Sequence, residues 1–530
     1  MNRPKLLTNK SIFGWLLFLG FLTCTSLKSQ TEVDNHYLES SIPEAEGVAS
    51  EGIIQFIDAL ESENNEMHSF VILRHGKIIS EAWWSPYGKN LRHIMFSVSK
   101  SFTSVGVGIA IEEKKLKLTD KVYTFFPESM PDTLSAYMKE MTVEHLLKMA
   151  TGMNTDPLFG ARSSKNWPKT FLSAPVENKP GSVFKYNNMA TFMLSAIVQK
   201  ATGEKLAAYL KPRLFDPLGI TNYTWDETPE GYTFGAIGLK LLSHDMAKFG
   251  QLLLQKGLWK GKQLVPSAWV EAATTFQIQG NAPENPTPRE FNDWEQGYGY
   301  QFWRGRCNSY RADGLGGQFI IVLPEKDAVV VLTAAAANTQ KELDLVWKHL
   351  VPAMFDKALP ENKQAQGELK NRITGLSDPQ SVQMTLNMAN RISGKTIQVS
   401  KNEAGITGLK IHFDGRDNMK LDLFHGAEKS EIKADLGDWN LSQSKLKSLA
   451  SPPVVNSGGL IKVASIYDWD NDNGLTISLR FAEESIREEN LILRFEEVGS
   501  EIKVNIEHKN YVEFLGVQSR RLEGKIALLD

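Results

Sequence analysis

Cysteine is nearly absent from this chain, which has only Cys24 and Cys307. With Cys24 in a removable N-terminal segment, the mature form holds one thiol, and neither an intrachain disulfide nor a cysteine-ligated metal site can be built. Paired metal ligands are missing as well. The ten histidines, at positions 36, 68, 75, 93, 145, 244, 349, 412, 425 and 508, form no His-Glu-x-x-His or other close pair, so no metal and no cofactor is expected. There is no Gly-x-Ser-x-Gly and hence no nucleophile elbow of the α/β-hydrolase kind. An excess of one charge is also lacking. Lys plus Arg number 59 against 62 Asp plus Glu, a net charge of -3, and without a basic run nothing argues for nucleic acid or an anionic membrane surface.

Long apolar runs occur at one place. Arg3, Lys5 and Lys10 precede Ile12 to Thr23, an apolar core too short for a comfortable bilayer span and followed by polar residues. Residues 1–29 therefore read as a signal peptide cleaved near Ser29-Gln30, giving a secreted or periplasmic protein with no transmembrane segment in the mature chain. Leu22-Thr23-Cys24 is an imperfect lipobox, which leaves a lipoprotein anchored at Cys24 as the alternative.

What the sequence does contain is a lysine in an apolar place. Ser97-Val98-Ser99-Lys100 sits within the largely apolar stretch Phe96 to Ile111. If Ser97 opens a helix, i and i+3 share a face and the Lys100 ammonium reaches the Ser97 hydroxyl. Burial penalises the charged amine, lowers its pKa and makes it a base able to activate the serine. The plainer reading is a capping serine with Lys100 extended to solvent. The same spacing recurs at Ser182, Ser430, Ser442, Ser444 and Ser500, but in polar, turn-like or strand-like sequence where a lysine is solvated.

Tyr186-Asn187-Asn188 forms a second candidate, between the turn at Pro180-Gly181 and an apolar helical stretch from Met189. A tyrosine beside a lysine can be pushed toward phenolate and relay the serine proton. Asn188 can hold Lys100 or bind a substrate carbonyl. A core tyrosine and a capping asparagine are the simpler alternative.

Helical spacing over Gly47 to Ser62, a hairpin around His75-Gly76-Lys77, helices at Thr142 to Met149, Met189 to Thr202 and Asp245 to Gln255, then strands Tyr298 to Trp303, Gln318 to Leu323 and Ala328 to Thr333 and a helix over Lys341 to Phe355, predict one antiparallel sheet built from both ends of a domain. The polar residues 359–370 read as a linker. Beyond them, 371–530 read as an all-β accessory domain, a barrel or sandwich of eight to ten short alternating strands. Asp468 to Gly474 looks like the start of a calcium loop, but Asn473 stands where glycine belongs and Leu479 where the bidentate glutamate belongs, so a hairpin turn is expected.

Phe96 to Phe102, Thr142 to Leu147 with Thr151-Gly152, Tyr186-Asn187-Asn188 and Pro217 to Ile220 occur in an order that resembles the penicillin-recognising serine hydrolases. That family includes class C β-lactamases, D-alanyl peptidases, esterases and 6-aminohexanoate-dimer hydrolase, and the resemblance spans Gly47 to Phe355. It implies an α+β, β-lactamase/transpeptidase-like fold for residues 30–358, an antiparallel sheet flanked by helices plus an all-helical part. It also implies Ser97 as nucleophile, Lys100 as base and Tyr186 as proton relay, with an oxyanion hole from the backbone N–H groups of Ser97 and Leu315. The third family motif, Lys or His then any residue then Gly, is altered to Ala312-Asp313-Gly314. With its carboxylate-binding cation missing, and Arg304, Arg306 and Arg311 as the available substitutes, the run from Ala312 to Gln318 is most similar to 6-aminohexanoate-dimer hydrolase and related esterases. A small-molecule ester or linear amide is then the expected substrate, with Asn188, Leu315 and Gln318 around it. Penicillin-type or D-alanyl substrates, and an envelope binding protein that has lost the chemistry, are the alternatives.

Overall fold

The structure is a computed structural model and describes residues 38–62, 66–280, 287–377, 386–402, 405–415, 417–446, 459–471, 473–486, 488–512 and 516–527. The expected signal segment and Cys24 lie outside the described residues.

Helix α1 (Ser50–Ser62) leads into a hairpin of β1 (Met67–Arg74) and β2 (Lys77–Trp83). Late in the chain follow β3 (Trp303–Arg304), β4 (Tyr310–Gly314), β5 (Gln318–Leu323) and β6 (Ala328–Ala334). They form one antiparallel sheet in the order β2-β1-β6-β5-β4-β3. Its central strands are apolar at successive positions because both faces are covered. Val71, Leu73, Ile320, Val322, Val329 and Val331 face the larger helical core. Phe70, Ile72, Phe319, Ile321, Val330 and Leu332 face α1 and the helices around Leu343 to Met354.

Three helices set the site. α2 (Ser99–Glu112) runs buried along nearly its whole length, α3 (Asn188–Thr202) packs against it, and α4 (Ser243–Leu254) backs the sheet. Gly108 lets α2 approach Trp269 closely: a Cβ there would sit 2.3 Å from the indole. The strand expected over Tyr298 to Trp303 is mostly absent. Gln301 is left-handed (φ 67) and its amide turns inward to the carbonyls of Leu146 and Leu147, which breaks the extended run.

The polar segment read as a linker is largely helical. α5 (Lys363–Gly375) docks Leu369 and Ile373 beside α1 and joins it through Arg372 to Asp58 and Glu61. Its outer face is polar, which is what composition registered.

The C-terminal sheet comprises β7 (Thr396–Val399), β8 (Gly408–Asp414), β9 (Asn418–His425), β10 (Glu428–Leu436), β11 (Asn440–Ser444), β12 (Ile461–Asn471), β13 (Gly474–Arg480), β14 (Glu488–Val498), β15 (Glu501–Val512) and β16 (Gly516–Ala527). The order is β10-β9-β8-β7-β16-β15-β14-β13-β12-β11, and a parallel pairing of β10 with β12 closes it into a barrel. Closure removes most free edges. Alternate residues such as Leu475, Ile477, Leu491, Leu493 and Phe495 fill the interior. A hairpin joins β12 and β13, with Asn471 opposite Gly474 and Asp470 paired to Arg494.

Candidate active site

Ser97 lies in a 3-10 turn, Phe96–Val98, that runs into α2. The turn continues without a break into α2, so positions three apart share one face and Lys100, in the first turn of α2, lies over Ser97. Phe96 is held left-handed (φ 43), a costly conformation for an aromatic residue and one that commonly marks a working site. The turn packs against β4 and β5, and Ser97 stays half-buried and reachable.

The Lys100 Nζ is 2.9 Å from Ser97 Oγ, 2.8 Å from Asn188 Oδ1 and 2.9 Å from the Ala236 carbonyl. Lys100 is 1% exposed. Burial pulls its pKa down to about 7, while the carboxylates of Asp156 and Asp313 act in the opposite direction. Near neutrality a large share of the molecules therefore carry a neutral amine. A neutral amine has two N–H bonds and one lone pair. Two of its three neighbours are pure acceptors, so the lone pair is left for the only neighbour with a proton, the Ser97 hydroxyl.

Tyr186 closes the other side. It stands beside Ser97, which acts to lower its pKa, and Lys100 Nζ lies 4.9 Å from its ring centroid. The ring stacks on Trp303 at 6.0 Å and meets Tyr298 edge-on. Burial pushes the phenol well above its ordinary pKa, so Tyr186 rests as a neutral phenol rather than the phenolate the sequence pointed to. In that form it can still take a proton on one lone pair as it gives up its own.

Asn187 and Asn188 divide the two tasks that the sequence left open. Asn187 caps α3 by accepting from the Ala190 N–H at 2.9 Å, while Asn188 holds Lys100. The direction of the Asn188 amide is fixed by Asp156, whose Oδ2 accepts from Asn188 N at 2.8 Å and Nδ2 at 2.9 Å. No local signal marks Asp156 in the sequence. It borders a cavity of about 630 Å³ lined by Thr155, Phe159, Asn166, Lys169 and Thr170 among others.

Gly314 packs so closely on the Met95 carbonyl that a Cβ would come within 2.5 Å of it, which brings Leu315 beside the Ser97 turn. Gln318 does not face a cleft. It is fully buried, with Nε2 donating to the Leu315 and Ala334 carbonyls and Oε1 accepting from Ala334 N–H, so it fixes the Leu315–Gly317 turn from behind. The arginines considered as replacements for the third-motif cation are engaged elsewhere. Arg304 donates to the Thr274 carbonyl and Asn308, Arg306 to Asp293 and Asp344, and Arg311 to Asp313.

Asp313 thus puts a carboxylate on this strand. Burial raises its pKa to about 6 despite Arg311 and a hydrogen bond with Trp294, so it is ionised when Lys100 titrates. Asp313→Asn removes a charge that favours the Lys100 cation, and the acidic limb of kcat/KM moves to lower pH. An unchanged limb, or one moved upward, would contradict that coupling.

The Beta-lactamase family profile matches residues 58–351, more than half of the chain. The 6-aminohexanoate-dimer hydrolase of Paenarthrobacter ureafaciens is 26% identical over 285 residues, covering 50% of this chain and 71% of that protein. A beta-lactamase of Escherichia coli K12 is 24% identical over 311 residues, covering 48% and 78%. Among solved structures, the octameric penicillin-binding protein homologue from Pyrococcus abyssi aligns over 89% of this chain and 99% of its own, at 16% identity and a TM-score of 0.44. With a serine and a lowered-pKa lysine in contact inside the matched region, this chain belongs to the Beta-lactamase family and is a serine hydrolase.

Proposed function

We propose that the protein cleaves a carboxylic ester or linear amide of a small molecule by two-step acyl transfer. Ser97 attacks the carbonyl carbon as Lys100 takes its proton. The tetrahedral oxyanion is met by the backbone N–H groups of Ser97 and Leu315. Collapse expels the alcohol or amine with a proton delivered through Tyr186, and water repeats the sequence on the acyl-enzyme to release the acid and free Ser97. The observation that carries this reading is the Lys100 environment, in which Ser97 is the one neighbour able to surrender a proton.

The third-motif strand favours esters and linear amides over penicillin-type substrates. Ala312 stands where a carboxylate-binding cation is usual, and Arg304, Arg306 and Arg311 are held by other partners, so an anionic substrate loses the charge that would hold it. We also infer export after removal of residues 1–29, a catalytic domain over 30–358, a connecting segment 359–370 and an accessory domain from 371. Among the described residues no helix is long and apolar enough to cross a membrane.

The test compares p-nitrophenyl butyrate with nitrocefin while intact mass is recorded during turnover. Ester hydrolysis with an acyl adduct on Ser97, and a kcat/KM about 10²-fold or more above that for nitrocefin, is expected. Preferred cleavage of nitrocefin would overturn the substrate assignment, and turnover without an adduct would overturn the mechanism.

A further inference from the structure

The connection between β13 and β14 leaves the barrel and reaches the catalytic centre. Phe481 and Ala482 are buried, and Ala482 packs with Tyr87 and Leu91. Glu483 accepts two hydrogen bonds from Arg92, at 3.1 and 2.7 Å, and one from Lys462 at 2.9 Å. Glu484 pairs with Lys240, which is 4% exposed. Ile486 is 1% exposed, and a Cβ built on Gly316 would lie 2.3 Å from its Cδ1.

These contacts fall on the supports of two particular backbone N–H groups. Arg92 and Lys240 flank the segment entering the Ser97 turn: Lys240 is the register partner of Ile94, and Met95 N–H donates to the Leu239 carbonyl at 2.8 Å. Ile486 rests on the residue that follows Leu315. The turn there contains Gly316 (φ 76) and Gly317 (φ 91) in succession, and two glycines leave a backbone with many alternatives unless it is held from outside. Gln318 donates to the Leu315 carbonyl, Ala336 N–H donates to the Gly316 carbonyl at 3.0 Å, and Ile486 packs on Gly316 itself.

We propose that the 481–486 loop of the C-terminal barrel is a positioning element for the oxyanion hole, with Ile486 pinning the Leu315 N–H and the Glu483 and Glu484 ion pairs fixing the Ser97 side. This rests on the reading of Ser97 as nucleophile and Leu315 as oxyanion donor. Donors of this kind act only when held about 3 Å from where the oxyanion forms, and a displacement near 1 Å can cost about 10²-fold in rate. The barrel is then part of the catalytic apparatus without any of its residues touching substrate.

Full-length Ile486→Ala, Ile486→Val and Glu484→Gln are compared with wild type and Ser97→Ala in p-nitrophenyl butyrate turnover, thermal unfolding, and phosphonylation by a p-nitrophenyl phosphonate, which mimics the tetrahedral state. For Ile486→Ala, kcat and the phosphonylation rate fall together by about 10- to 100-fold with KM within about twofold, because only transition-state binding is lost. Ile486→Val recovers most of both rates. A merely structural role would lower the unfolding temperature and leave the kcat-to-KM pattern alone. If Ile486→Ala does not fold, Glu484→Gln carries the test, with the same paired loss expected. Wild-type kcat and phosphonylation in a folded Ile486→Ala, or in Glu484→Gln where the alanine variant fails to fold, overturn the proposal while Ser97→Ala remains inactive. An active, phosphonylated Ser97→Ala would instead overturn the assignment of the nucleophile.

Discussion

Ser97→Ala lowers ester turnover by about 10⁴-fold or more and eliminates the covalent acyl adduct, with little effect on substrate affinity. The reason lies in what remains. Lys100 keeps its bonds to Asn188 and Ala236, and Tyr186 keeps its stack on Trp303, so the cleft survives while the hydroxyl that attacks the carbonyl is gone. One oxygen is removed from a half-buried position on a turn that is otherwise held by backbone and apolar contacts, and folding is expected to be retained. Groups acting as a unit are strongly non-additive. The double variant Ser97→Ala/Lys100→Met should therefore be scarcely slower than Ser97→Ala alone. Intact-mass spectra during turnover and single-turnover kinetics check both statements. An acyl adduct in Ser97→Ala, or a double variant slower by the product of the single effects, would sink the picture of Ser97 and Lys100 as one device.

The contact between Ser97 and Lys100 was legible in the sequence because it is a contradiction there: a lysine inside an apolar helix demands a reason. The strands of the main sheet were legible for a similar reason, since uninterrupted apolar runs such as Phe319 to Leu323 mean cover on both faces. Other features required the closed fold. Asp156 is distant in sequence from Asn188 and meets it only when the loop before α3 folds back. Gln318 is expected beside the substrate through the resemblance of the run Ala312 to Gln318, yet the Leu315 carbonyl of the turn and the Ala334 carbonyl at the end of β6 need donors, and the amide is drawn inward to supply them. Residues 359–370 are polar on one face only, and composition averaged away Leu369, the residue that docks α5 on α1. Loop 481–486 reads as an ordinary acidic turn. Its partners, Arg92 and Lys240, stand nearly 400 and about 240 residues earlier in the chain, where they pair with Glu483 and Glu484.

Lys100→Met is expected to lower activity and to change stability in a way that depends on pH. Loss of the base costs about 10³-fold or more in kcat/KM. In the wild type, kcat/KM should rise with pH through about 7 as the amine loses its proton, and this limb should vanish from whatever residual activity the methionine variant retains. The stability effect follows from the same lowered pKa. Between about 7 and the ordinary lysine value of 10.5 the unfolded chain binds a proton that the folded chain does not, so wild-type stability rises with pH across that window. Below it, the full cost of burying the cation is present, on the order of a few kcal/mol at roughly 1.4 kcal/mol for each unit of displacement. Methionine fills similar space without that cost, although it leaves Asn188 Oδ1 and the Ala236 carbonyl short of a donor, a loss of about 1–3 kcal/mol for each buried group. That loss is independent of pH, whereas the gain is not. Thermal unfolding at pH 6 and pH 10 therefore isolates the lysine: relative to wild type, the variant should fare better at pH 6 than at pH 10. A difference between the two proteins that stays constant with pH would mean that Lys100 is charged in the folded enzyme throughout, and Ser97 would then need another base.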